Sequence, residues 1–314
     1  MSVERKAVLL IGNGINRAFD KKNAKFIPEK ENWNFEGLSW ENMIKQIIFN
    51  CDSDLQYGDI SELPMTLQIV VASKDDVKKS MKAISESLIA EKISDEKAGL
   101  LKRILELPIG DIITTNYSYE LEQAGGIPAK KYYYYKCRKD SEKVSETIKK
   151  LRLYTYSNLE VFGKRIWHIH GDAATPDSVI MGHYYYGKLL REIQMRIRKF
   201  MPLYRWRENH NIEVECKSWV DLFLSNDVYM LGFGFDFSEM DLWWLAACKN
   251  RSFSETKIFY YAPKGEIKTD KRALFKSYNV ELRENFKVEN EDYVSYYKNV
   301  IDDIENKLKE GTAT

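Results

Sequence analysis

Three short runs hold the side chains from which chemistry could be built. The first, Gly12-Asn13-Gly14-Ile15-Asn16-Arg17, sets two glycines and two asparagines directly after an apolar run. Glycines after a strand let the backbone approach a phosphate, and a helix starting there offers N–H groups and the positive end of its dipole. The dinucleotide pattern GxGxxG is broken at its third glycine by Arg17, and no Gly-Lys-Ser/Thr follows as in a Walker loop. On these residues alone a plain strand-to-helix turn fits as well as a nucleotide site. The second run, Thr114-Thr115-Asn116, ends in an amide that both donates and accepts, or that caps the helix after it. The third, Ile166-Trp167-His168-Ile169-His170-Gly171, places His170 at a strand end, where an ordinary pKa of about 6.5 suits a general base. Strand alternation puts His168 and His170 on one face. That spacing also fits a metal pair, but no third ligand stands at a diagnostic distance in sequence, and His168 reads equally well as a satisfied core histidine.

These runs need elements to hold them. Ala7-Val8-Leu9-Leu10-Ile11 is apolar at consecutive positions, the pattern of a parallel strand buried on both faces. Asp111 to Thr115, a segment near 165–170, Asp227 to Leu231 and Lys257 to Tyr261 read as further strands, with two more candidates near 131–136 and 152–156. Helical spacing marks Trp40, Met43, Ile44, Ile47 and Ile48 behind a Ser39 cap, then Val77, Met81, Ile84 and Leu88, then Leu100 to Leu105. Further helices are expected over 185–201, 238–248, near 268–276, and from Val294 to Leu308; Lys21 to Gly37 reads as a loop. Alternating strands and helices give an α/β fold with an open parallel sheet, whose ligands bind outside the carboxyl ends of the strands. The block from about 38 to 107 holds no strand, so the expectation is a single domain over 1–314 with a helical insertion there.

Taken in order, the motifs resemble those of the sirtuin family. Gly12-Asn13-Gly14-Ile15-Asn16 resembles its GAGxS loop, Thr114-Thr115-Asn116-Tyr117-Ser118 its TQNID motif, His170-Gly171 its catalytic HG pair, and Leu231-Gly232-Phe233-Gly234-Phe235 its GTS-type nucleotide loop. The similarity is closer to bacterial sirtuin-like NAD hydrolases of antiphage defence, which carry TTNYD-like and HxHG-like variants. The resemblance implies a Rossmann-like sheet and NAD as substrate, cleaved between nicotinamide and ribose. It implies Asn116 and His170 as catalytic residues and Gly12, Asn13, Gly14, Ile15, Asn16, Thr115, Gly232 and Gly234 as binding NAD. A protein deacylase, an ADP-ribosyltransferase or a non-catalytic NAD or ADP-ribose sensor are the alternatives. Ser118 stands where TQNID has aspartate, Gly234 where GTS has serine, and the GIPDFR segment has no counterpart. Effectors of this kind often stay silent until they form a homo-oligomer or meet a partner defence protein, so either is an expected partner.

Composition sets limits on this reading. Cys51, Cys137, Cys216 and Cys248 form no CxxC pair, so neither the sirtuin zinc module nor any other zinc or metal site is expected, which counts against ordinary deacylation. With 48 basic and 47 acidic side chains in 314 residues, the formal charge is +1, and a whole-protein nucleic-acid footprint is not expected. Lys188 to Arg207 is locally basic, and reads first as a solvated helix face. Asp236 and Asp241 carry weak site roles, since Asp241 also reads as an acid favouring the start of its helix, and adjacent Trp243 and Trp244 point about 100° apart, so they do not both face one pocket and at least one serves packing or an interface. Apolar runs such as Ala7 to Ile11 fall far short of the ~20 residues of a membrane span, and the opening MSVERKAVLL lacks signal-peptide character, so a cytoplasmic protein is expected. The load of 20 tyrosines and 7 tryptophans suggests a closed pocket or interfaces.

Overall fold

The apolar run Ala7–Ile11 forms β1, and its consecutive side chains feed two different cores. Val8 and Leu10 pack with Ile113, Trp167, Val228 and Met230 on one face, while Leu9 and Ile11 pack with Ile112, Ile166, Tyr229 and Leu231 on the other. A strand buried on both faces has no room for polar alternation, which is why the sequence reads as unbroken apolar residues. The computed structural model describes residues 7–19, 40–51, 53–74, 93–127, 158–210, 215–290 and 292–312, with single positions between 76 and 88 and residues 155–156.

Among the described residues seven strands form one sheet: β1, β2 (Asp111–Thr114), β3 (Leu159–Val161), β4 (Lys164–His168), β5 (Asp227–Leu231), β6 (Ile258–Tyr261) and β7 (Val280–Arg283). Their order is β3-β4-β2-β1-β5-β6-β7, and only β3 runs antiparallel to its neighbour. Without β3, the parallel strands lie in the doubly wound Rossmann order, and the direction of winding reverses between β1 and β5. The crevice outside the carboxyl ends of those two strands is the place where such sheets bind ligands.

Helices His183–His210, Trp219–Ser225, Met240–Ser252 and Thr269–Ser277 cover one face, and Asp95–Glu106 and Tyr293–Thr312 the other. Between β1 and β2 lie Trp40–Asn50, Tyr57–Ile60, Met65–Ala72 and Asp95–Glu106, with no strand among the described residues. The first three do not pack on the sheet faces. Met43, Ile44, Ile47 and Ile69, with Met81 and Leu88, form a third core against Tyr119, Ala173, Val179 and Met181, on the loops beyond β2 and β4. This segment therefore sits over the carboxyl ends of the strands.

Several expected boundaries move. The helix expected over 185–201 runs from His183 to His210 and contains Pro202. Of the strand expected near 152–156, Thr155 and Tyr156 are helical; the one near 131–136, the Lys21–Gly37 loop and the Ser39 cap lie outside the described residues. Two elements carry little sequence signal. Trp219–Ser225 is too short and too uniformly apolar to show a helical period, and starts at Ser218, whose hydroxyl accepts from the Val220 N–H at 3.0 Å. β7 is a four-residue edge strand, half-buried along most of its length, that gains its identity by pairing with β6. None of the described helices is long and apolar enough to cross a membrane.

Candidate active site

The ends of β1 and β5 come together because neither carries a side chain. The Gly12 N–H donates to the Leu231 carbonyl at 3.2 Å and the Gly14 N–H to the Gly232 carbonyl at 2.6 Å. A Cβ at Gly12 would lie 2.6 Å from the Gly232 oxygen; one at Gly232 would lie 2.8 Å from the Ile15 nitrogen, and Gly232 has φ +62°. Glycine is the residue that tolerates both demands. Within the loop whose backbone is expected to approach a phosphate, the N–H groups of Gly12 and Gly14 hold the two loops together. Ile15 is fully buried, and Asn16 is buried beneath the loop, its amide donating to Asn13 Oδ1 and Glu120 Oε1, each at 3.0 Å. Ser118, at the aspartate position of TQNID, donates to the same Glu120 oxygen at 2.5 Å.

A cavity of about 430 Å³ opens beside these loops, within the range of small-molecule sites. Of the residues expected to bind or react, Asn13, Gly14, Thr115, Asn116, His170, Gly232 and Gly234 line it, whereas Gly12, Ile15 and Asn16 do not. Gly234 has open space around its Cα, so sterics alone do not require glycine there. Trp40, Met43, Met65 and Leu88 of the helical segment form the opposite wall. Tyr117 also lines the cavity, its hydroxyl donating to the Ile180 carbonyl at 3.0 Å, while Phe19 belongs to the core beneath the sheet.

Asn116 does not cap the following helix, which starts at Glu120. Its backbone N–H donates to Thr114 Oγ1 at 3.1 Å, which fixes the turn after β2. Its side-chain Oδ1 is buried and accepts nothing from the described residues. Leaving such an acceptor unmet costs about 1–3 kcal/mol, so this oxygen is poised for a ligand donor.

The two histidines do not share a site. β4 ends at His168, whose Nδ1 faces the Asn116 carbonyl at 2.8 Å and whose Nε2 pairs with Glu122 at 2.7 Å. Burial works to lower the His168 pKa, but Glu122, by charge and hydrogen bond, carries it up to about 9. His168 is thus a satisfied buried ion pair that fixes the backbone carrying Asn116. His170, in the turn beyond, is 2% exposed and pairs through Nε2 with Asp241 Oδ2 at 2.9 Å, with Glu239 Oε2 at 3.8 Å. Gly171 after it has φ +83°, and a Cβ there would meet the Ser178 carbonyl at 2.4 Å.

Glu239 and Tyr186 were not found by sequence reasoning as site residues, and Asp241 carried only a weak site role there. Asp241 is fully buried, and Glu239 accepts from the Tyr186 hydroxyl at 3.0 Å. Burial opposes the charged form of His170, yet Asp241 and then Glu239 raise its pKa above the usual imidazole range. Burial pushes the Glu239 carboxyl up to about 7 against the pull of His170, with Asp241 adding to the rise. The available signal was the spacing Glu239-x-Asp241 just after the Gly232–Gly234 loop, which a helix-dipole reading absorbs too easily. Among the described residues, His170, Glu239 and Asp241 are the three potential ligand groups that cluster within 4.8 Å. The His170–Asp241 hydrogen bond, the His170–Glu239 ion pair and the Tyr186 hydrogen bond to Glu239 hold the three together, and their side chains are of the types that exchange protons.

A family model described as a SIR2-like domain matches residues 110–282, more than half of the chain. The match takes in β2 through most of β7, including Asn116, His170 and the Gly232–Gly234 loop, and leaves β1 outside. No protein of curated function matches the chain. SIR2-like domains use NAD as substrate, which agrees with a Rossmann-ordered sheet and a cavity at its switch point. With its fold and this match in agreement, the chain belongs to the SIR2-like domain family.

Proposed function

We propose that the protein is an NAD hydrolase that breaks the bond between nicotinamide and ribose, yielding nicotinamide, ADP-ribose and a proton. The observation that carries this reading is the pairing of an orphaned buried amide oxygen, Asn116 Oδ1, with the Asp241-bound His170 on one cavity at the switch point. The reaction needs little from a leaving group, because nicotinamide departs neutral as its ring nitrogen keeps the electron pair. It needs the ribose held while C1′ gains oxocarbenium character, much as in glycoside cleavage. Asn116 accepts from a ribose hydroxyl or from the attacking water. His170 has Nε2 committed to Asp241, so its other ring nitrogen is what it offers to a ribose hydroxyl. Asn13, Gly14, Thr115, Gly232 and Gly234 border the space for the rest of the dinucleotide, with Gly12, Ile15 and Asn16 shaping the loop from behind.

The helical segment at about 38–107 is read as an insertion within a single domain, acting as the cavity's roof. No metal and no zinc take part in this reading. An antiphage effector that depletes NAD in the cytoplasm, switched on by self-association or by a partner defence protein, fits the resemblance best.

The test is incubation of the full chain with NAD and chromatographic resolution of the products, with and without a chelator. Nicotinamide and ADP-ribose are expected in equal amounts at a rate the chelator leaves unchanged. O-acyl-ADP-ribose formed only with an acyl-lysine peptide would instead show deacylation, and a modified protein would show transfer.

A further inference from the structure

Water attack on the ribose releases a proton, and His170 is badly placed to export it. Its imidazole is 2% exposed, its Nε2 faces Asp241, and Asp241 is itself sealed from solvent and absent from the cavity wall. Asp241 Oδ1 is also buried and accepts nothing from the described residues. That carboxylate touches the site only through the imidazole. The second carboxylate differs in each respect. Glu239 lines the cavity with Tyr117, Asn116 and Tyr186, its side chain is 15% exposed, and its Oε2 stands 3.8 Å from His170 Nε2.

Resting on the hydrolase reading, we propose that Glu239 is the catalytic base that takes the proton of the attacking water, and that Asp241 is a positioning residue that holds His170 beside it. As the C1′–nitrogen bond breaks with its electron pair left on nicotinamide, the water oxygen bonds to C1′ and one water proton passes to the Glu239 carboxylate. Glu239 then returns that proton to solvent through the cavity, which restores the site and balances the reaction.

The groups facing Glu239 tune it for this exchange. Tyr186 from helix His183–His210 donates to it, His170 from the turn after β4 favours its charge, and Tyr117 lies across the cavity from the turn after β2. On its own segment, Asp236 and Asp241 oppose its charge, as burial does. The balance puts the carboxyl at about 7, where it both takes and gives a proton near neutrality. The opposed environments of two carboxylates, one sealed and one open, separate the positioning role from the proton-transfer role.

The test is the pH dependence of kcat for NAD cleavage by the full chain as wild type, Glu239→Gln, Asp241→Asn and Tyr186→Phe. Wild type should gain rate through a limb near pH 7. Glu239→Gln should lose about 100- to 10,000-fold in kcat and lose that limb, with KM little changed. Asp241→Asn should be slower with the limb still present but at lower pH, because a charge that opposes the carboxylate is gone, and Tyr186→Phe should move the limb to higher pH because the charged carboxyl loses a donor. The Tyr186 variant keeps the assignment testable even if the Glu239 variant does not fold. A Glu239→Gln protein that keeps both rate and limb, or a Tyr186→Phe limb that stays in place, overturns the assignment and leaves the hydrolase reading intact. Wild-type protein that does not turn over NAD overturns the hydrolase reading itself, and the role of Glu239 with it.

Discussion

At the scale of single residues, the HxH spacing conceals two unrelated histidines. His168 is a buried ion pair with Glu122 and a backbone clamp on Asn116; His170 alone reaches the cavity. A histidine whose folded pKa is about 9, against about 6.5 unfolded, stabilises the fold fully below pH 6.5. That contribution drains away as pH rises through 9. Urea midpoints of the wild type should therefore fall between pH 6.5 and 9, and Glu122→Gln should flatten that slope; equal midpoints across the range would refute the ion pair. His170 makes a different prediction. His170→Ala should retain the fold and lose about 100- to 10,000-fold in NAD cleavage, read by chromatography. Asn116→Ala should also lose activity, and full activity in either folded variant would remove that residue from the site.

At the scale of elements, the interior strands were the most legible part of the sequence. β1, β2, β5 and β6 announce themselves as short apolar or β-branched runs, the first three closed by glycine or a small polar residue and β6 by Ala262-Pro263. β7 and helix Trp219–Ser225 were not legible, because pairing and burial rather than local pattern decide them. The same limit applies to the site. Asn116 and His170 follow strands and could be read from their position, whereas Glu239 and Asp241 join His170 only through the return of the chain after β5. The glycines separate in the same way. Gly232→Ala meets Ile15 at a φ of +62° and should cost at least about 1–3 kcal/mol, read as a lowered melting temperature. Gly234→Ser restores the serine of the sirtuin-type loop into open space and should leave stability within about 0.5 kcal/mol. A large loss from the serine variant would mean that the loop is tighter than its geometry indicates.

At the scale of the molecule, the cavity is lined on one side by the sheet's loops and on another by the helical segment, and the two share a small core of their own. A dinucleotide in it would touch both parts and resist their separation. Excess NAD added to the His170→Ala protein, which consumes it slowly, should raise the melting temperature by several degrees, since saturation at 100 times Kd is worth about 2.7 kcal/mol. No shift at millimolar NAD would count against binding in this cavity. The glycine contact between the loops after β1 and β5 reaches beyond physical chemistry into descent. Gly12 lies outside the matched family span and Gly232 within it, yet neither can take a side chain without displacing the other's loop. The two positions are therefore expected to change together or not at all. A lineage that changes one must rebuild the other in the same stretch of its history, so paired retention of these glycines among related sequences marks this architecture even where the region around β1 has drifted past recognition.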